Sequence, residues 1–214
     1  MVNFDSVYAS TTTQRNGYYG PPEPEFAHCV SIIESATCGR SALDVGCGDG
    51  RHSRLLCRRG WSVVGIDASA TGLDEAQRAC GDGFEPVLAD LGTLEPIHRD
   101  GFDLVVCSTV LDHLPKAVFE TRLAAVIGQV SPGGFAYISV FNTWDPESRR
   151  ESAQLNGLAT SGSETTSAVV WFAEPGELRS AVGRKELLHY SESYGLALHP
   201  PPHSHGLSVV CCRC

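Results

Sequence analysis

Three short apolar runs each carry an aspartate at or near the carboxyl end: SALDVG (41–46) with Asp44, WSVVGID (61–67) with Asp67 and FEPVLAD (84–90) with Asp90. Each reads as a strand. Helical patterns at 51–60 and 68–80 stand between them, the second opened by a Ser69 cap. Runs that are apolar throughout, rather than alternating, belong to strands covered on both faces, as in a parallel sheet. Parallel neighbours need right-handed crossovers, and the intervening helices supply them in a three-layer arrangement.

The alternation extends in both directions. A helix pattern precedes it at 24–37; a strand follows at 101–109, then a long helix at 116–130 and, after a turn at Gly133-Gly134, a strand at 135–141. Further strands are expected at 168–172, 185–193 and 206–212, with a short helix at 174–182. The last two strands should pair as an antiparallel hairpin at the sheet edge. The expected fold is α/β: a three-layer, doubly wound, mostly parallel sheet of seven strands ending in that hairpin. At 214 residues the chain suits a single domain spanning 1–214.

Two stretches stay polar. Residues 1–23 form a lead-in containing Tyr18 and Tyr19, and residues 142–167 form a long excursion. Excursions of that size in compact domains commonly cover a functional site. They are therefore expected to act as an N-terminal lid segment and a lid-like insertion, with Tyr18 and Tyr19 facing an acceptor. The proline-stiffened PPPHSH (200–205) is expected to be a loop offering His203 and His205 to substrate. Their spacing relative to Cys211, Cys212 and Cys214 matches no structural zinc pattern, so no metal is expected.

Charge narrows the partners. With 16 basic against 25 acidic residues the net charge is −9, and the basic residues are scattered, so nucleic acid is not an expected partner. No run approaches the roughly 18–20 apolar residues of a membrane span. The N-terminus has no basic region followed by an apolar core, so a cytoplasmic chain is expected, its nine cysteines kept as thiols and most of them buried. Monomer and homodimer both stay open.

In sheets of this kind ligands sit beyond the carboxyl ends of the strands. Gly46, Gly48 and Gly50 stand there and let a ligand lie directly against the main chain. A dinucleotide fingerprint needs glycine or alanine where Arg51 stands, and a phosphate-binding Gly-Lys-Ser/Thr is absent. Asp44 and Asp49 would repel a pyrophosphate. A ligand carrying an ammonium, a sulfonium and a ribose suits the acidic rim better. Asp67, 21 residues after Gly46, can accept both ribose hydroxyls, and Asp90 can accept from an exocyclic amine beside the Leu91 backbone. The competing reading makes Asp67 and Asp90 helix caps and the glycines a tight turn.

LDVGCGDGRHS, VVGIDAS, VLAD and FDLVVCSTVLDHL resemble the successive motifs of class I S-adenosylmethionine-dependent methyltransferases, over about residues 24–141. GCGDGRHSRLLCRRGWSVVGIDAS is similar to the tellurite-resistance and thiol, or small-molecule, branch; EPGELRSAV and HSHGLSVV resemble its C-terminal hairpin. The resemblance implies a Rossmann-like methyltransferase fold with S-adenosyl-L-methionine as cofactor. It implies Asp44, Gly46, Cys47 and Gly48 at the methionine end, Asp67 and Ala68 at the ribose, and Asp90 and Leu91 at the adenine. Ser108 and Thr109 would lie near the point of methyl transfer.

Methyl transfer from a sulfonium asks the protein chiefly to align the nucleophile and exclude water. A base is needed only where the nucleophile arrives protonated. Asp112 and His113 are the expected catalytic pair, with a cap and ordinary packing as their alternatives. The expected acceptor is a small molecule methylated at sulfur, selenium or oxygen. A non-catalytic cofactor-binding subunit and an N-methyltransferase of a small metabolite are the alternatives. CSTVLDH stands where an Asn/Asp-Pro-Pro-Tyr/Phe signature would mark nucleobase or amide N-methylation.

Overall fold

A computed structural model describes residues 20–91, 100–149, 159–160, 169–197 and 203–214. The elements begin with α1 (Pro24–Ala36), β1 (Ser41–Val45), α2 (Arg51–Arg58), β2 (Ser62–Asp67), α3 (Ala70–Cys80) and β3 (Phe84–Leu88). Then come β4 (Phe102–Ser108), α4 (Phe119–Ile127), β5 (Val130–Phe141), β6 (Ala159–Thr160) and β7 (Val169–Val170). α5 (Glu177–Ala181), β8 (Glu186–Ala197) and β9 (His203–Arg213) complete the order.

The seven-stranded sheet runs β3-β2-β1-β4-β5-β9-β8. Strands β1 to β5 are mutually parallel; β9 lies antiparallel to β5, and β8 antiparallel to β9. This is the expected doubly wound sheet with its C-terminal hairpin. The order reverses between β1 and β4, so the crevice for a ligand opens above their carboxyl ends.

Alternation along the strands feeds two cores. Phe26 and Ile33 of α1 and Leu56 of α2 pack on Leu104, Val106, Tyr137 and Cys211. On the other face Phe119 and Leu123 of α4, with Trp171 and Leu178, pack on Val105, Ile138 and Val210. Successive residues such as Val105 and Val106 thus serve opposite layers.

Several expected boundaries move. The helix expected at 116–130 shrinks to α4, preceded by a 3-10 turn at Lys116–Val118 and stopped at Gly128. Gly133 and Gly134 lie inside β5: Phe102 pairs with Val130 but Leu104 with Phe135, so the two glycines sit in a bulge. The strand expected at 168–172 is reduced to β7, because Trp171 turns inward and is fully buried. The proline-rich loop gives way to strand at His203, so His203 and His205 belong to β9. All nine cysteines are free; Cys29 and Cys107 are buried, whereas Cys38 is exposed and Cys57 and Cys80 are half-buried.

Gly50 and Gly60 separate backbone strain from crowding. Their φ values are +82° and +81°, yet a Cβ on Gly50 would lie 2.9 Å from Ala76 Cβ, whereas one on Gly60 meets nothing within 4 Å. Gly60→Ala should cost about 1 kcal/mol of strain. Gly50→Ala should cost about 2–4 kcal/mol, because helix α3 must also retreat. Denaturant unfolding of the two variants checks this; equal losses would contradict it.

Candidate active site

The glycine loop is built from beneath. Gly46 N and Cys47 N both donate to Ile66 O, at 2.7 and 2.9 Å, pinning the loop to β2. Gly46, Gly48 and Gly50 have φ of 69°, 54° and 82°. A Cβ on Gly46 would lie 2.3 Å from Val110 Cγ2, so part of the bareness serves packing against the end of β4 rather than a ligand. Cys47 is buried, and its main-chain oxygen accepts from Gly50 N at 2.9 Å.

Asp67 ties this loop to the next strand end. Its Oδ2 accepts from Gly48 N and its Oδ1 from Ser69 N, each at 2.8 Å. The N-cap of α3 is Ser69 itself, whose hydroxyl accepts from Gly72 N at 3.0 Å, so Asp67 is not that helix's cap. Burial raises the Asp67 carboxyl above its ordinary value, while the bonds from the Ser69 and Gly48 amides pull it back. Each oxygen has lone pairs beyond the one its amide uses. Ala68 beside it is exposed.

Asp44 does something else. It is 1% exposed, and its Oδ2 accepts from Ser53 Oγ at 2.6 Å and Ser53 N at 3.1 Å. Gly50, the N-cap of α2, has no side chain to cap with, so a carboxylate from β1 caps the helix instead. The structure therefore puts Asp44 beneath the loop, not on its ligand side. Burial raises its carboxyl, with His52 and Ser53 opposing.

Ala89 N donates to Asp67 O at 3.0 Å, and the chain then passes half-buried Asp90 and buried Leu91 on the same rim. At the end of β4, Ser108 Oγ lies 2.7 Å from Ser139 Oγ. Thr109 follows at φ 52°, a left-handed conformation that costs a β-branched residue about 1–3 kcal/mol. It is held there by Thr109 N donating to Ser139 O at 2.9 Å.

The expected catalytic pair divides. Asp112 is fully buried: its Oδ2 accepts from Phe141 N at 2.8 Å, its main-chain oxygen accepts from Trp171 N at 3.1 Å, and Oδ1 has no hydrogen-bond partner among the described residues. A sealed carboxyl cannot touch an acceptor, so Asp112 latches β4 to β5 and β7 and is not the base. Burial raises its carboxyl, and His113 and the Phe141 amide oppose the rise. His113 stays half-buried at the rim. His205 sits at the start of β9, paired with Asp145. Tyr18 and Tyr19 and most of the two proposed lids lie outside the described residues, and of His203 only its place in the strand is described.

Two carboxylates escaped the sequence reading. Glu23 grips the first turn of α2: its oxygens lie 2.9 Å from Arg51 Nη2 and 2.9 Å from His52 Nε2. Burial raises the Glu23 carboxyl, but His52 and Arg51 outweigh burial and hold it well below the ordinary range. Asp145 is the other. Both partnerships join residues far apart in sequence, where no local spacing signals them.

A groove of about 560 Å³ lies elsewhere, along the flank of α2, lined by Gly20, Pro21, Pro22, Arg54, Leu55 and Arg58 among others. It extends from Arg51 at the start of that helix to Arg59 beyond its end, and none of Asp67, Asp90, Ser108 or His113 lines it.

Residues 42–134 match the family of methyltransferase domains. A ubiquinone biosynthesis O-methyltransferase of Hydrogenovibrio crunogenus is 29% identical over 212 residues, covering 94% of this chain and 83% of that protein. The protein of the same name from Aeromonas salmonicida is 35% identical, but over 49% of this chain and only 44% of its own length. Several of these curated relatives are thus spanned over less than half their length. TehB of Haemophilus influenzae superposes with a TM-score of 0.68 over 98% of this chain and 65% of its own, at 16% identity, which is a likeness of fold. Residues 42–134 are thus matched to a methyltransferase domain, and the sheet that carries them has the fold seen in TehB.

The Asp67 carboxylate stands at the glycine loop, where Gly48 N donates to it at 2.8 Å beside the positive-φ main chain of Gly46 and Gly48. No helix among the described residues is long and apolar enough to cross a membrane.

The buried latch has a pH signature. The Asp112 carboxyl is raised on folding, so its contribution to stability is complete below the unfolded value of about 3.9 and is lost as pH rises through the folded value. Asp112→Asn cannot ionise. The melting temperature of the variant minus that of the parent should therefore rise from about pH 4 to about pH 7. A constant or falling difference would refute the assignment.

Proposed function

We propose that this methyltransferase transfers the methyl group of S-adenosyl-L-methionine to a small-molecule acceptor at oxygen, ahead of sulfur or selenium. The observation that carries the reading is the Asp67 carboxylate drawn up between Gly48 N and Ser69 N at the mouth of the crevice. In this reading Asp67 holds the ribose hydroxyls, Asp90 and Leu91 hold the adenine edge, and the main chain at Gly46–Gly48 bounds the methionine end. Ser108 and Thr109 stand beside the reacting carbon. Oxygen is preferred because the curated relatives are named as O-methyltransferases. A net charge of −9 disfavours nucleic acid as the acceptor.

When bound, the cofactor supplies a strongly electrophilic methyl carbon. The chain's own residues contribute alignment and dryness: a rigid β4 end at Thr109, and buried carboxylates that fix the loops without entering the crevice.

Calorimetry with S-adenosylhomocysteine should show roughly micromolar binding, and none of NADH. Asp67→Ala should weaken it by about 1.5–3 kcal/mol, the scale for hydrogen bonds to a charged acceptor, and should also lower the melting temperature, because Gly48 N and Ser69 N lose their acceptor. An unchanged dissociation constant in Asp67→Ala, or NADH bound as tightly, would defeat the reading. Methyl-labelled cofactor that marks protein or RNA and no small molecule would defeat the acceptor class.

A further inference from the structure

The stretch after β5 folds back onto the start of β9, where a carboxylate and an imidazole meet. Asp145 Oδ2 lies 2.8 Å from His205 Nδ1. The same oxygen accepts from Gly206 N at 3.2 Å, and Oδ1 accepts from Glu147 N at 2.9 Å. The Asp145 side chain is 1% exposed, whereas that of His205 is 21% exposed. Gly206 makes the approach possible, since a Cβ there would lie 2.4 Å from Asp145 N. The His205 ring packs on Phe141 with centroids 4.8 Å apart.

This pair faces the crevice side of the sheet. β9 runs antiparallel to β5, so its first residues stand at the carboxyl end of β5. Ser108 pairs with Ser139, and Phe141 with Leu207, so alternation puts Ser108, Ser139, Phe141 and His205 on one face. From Ser139 to Phe141 is two strand residues, roughly 7 Å.

We infer that His205 is the general base of the methyl transfer and Asp145 its positioning residue, so that the acceptor is a phenolic or enolic hydroxyl. This rests on the O-methyltransferase reading above. A proton on Nδ1 donated to the Asp145 carboxylate leaves the lone pair on Nε2. The acceptor oxygen gives its proton to Nε2 as it bonds the methyl carbon; the carbon–sulfur bond breaks with its electron pair left on sulfur, and the proton later passes from His205 to water. Among the described residues, Asp145 and, from the turn after β4, the buried Asp112 carboxyl are the titratable groups that face His205, and the buried Asp145 carboxylate stabilises the imidazolium that forms. A thiol, ionising near pH 8.5, would gain little from such a base, whereas a phenol near pH 10 gains most.

The test compares the parent with His205→Gln and Asp145→Asn, using catechol and the far more acidic 4-nitrocatechol as acceptors of methyl-labelled cofactor. His205→Gln should lower turnover of catechol about 10²- to 10⁴-fold and that of 4-nitrocatechol less than about tenfold. S-adenosylhomocysteine affinity and melting temperature should hold. The acid limb of the kcat/KM profile should vanish in His205→Gln. Long-range proton–nitrogen NMR of the parent should show the His205 proton on Nδ1. Equal losses on both acceptors, a variant as active as the parent on catechol, or a proton resident on Nε2 would overturn the base. Tight S-adenosylhomocysteine binding with no labelling of any hydroxyl in a wider phenol panel would instead overturn the O-methyl reading and the hydroxyl assignment with it.

Discussion

The Asp67 carboxylate, held between Gly48 N and Ser69 N, is the contact on which the site depends. A loop with three glycines at positive φ has little intrinsic preference for one shape, and glycine loses more entropy than any other residue on being fixed. Asp67 fixes it from the neighbouring strand, while Ile66 O takes the amides of Gly46 and Cys47. Val110 closes the remaining side. The crevice at the reversal of strand order is thereby shaped in advance, with the rim oxygens already aimed.

Around it the protein uses carboxyl groups in two ways. Asp44 and Asp112 are sealed and raised by burial; they cap α2 and latch β4 to β5, spending charge on geometry. Asp67 and Asp145 also accept backbone amides, but each stands beside something that can meet a ligand: an open rim in one case, a partly exposed imidazole in the other. Burial alone therefore does not sort structural from chemical carboxylates here. What lies on the far side of each one does.

The strands were legible because their apolar runs are continuous and separated by helical periodicity, and the Ser69 cap because serine before an apolar run has few other uses. The glycine loop and Asp67 were legible because they follow strands directly. Asp112 was assigned by position, and its burial was invisible because it depends on Trp171, whose amide reaches it across a long sequence gap. His205 was noticed as a residue type in a proline-rich stretch, yet its strand setting and its partner depend on β9 pairing with β5. Glu23 with Arg51 and His52 belongs to the same class: long-range pairs leave no periodic trace.

The central claim is that the ligand crevice lies over the carboxyl ends of β1, β2, β3 and β4, and not in the arginine-lined groove along α2. Hydrogen exchange followed by mass spectrometry, with and without S-adenosylhomocysteine, tests that directly. The account requires protection to concentrate at residues 44–50, 67–69, 88–91 and 108–111. Protection confined to 20–22 and 54–59, with the strand ends unchanged, would contradict it.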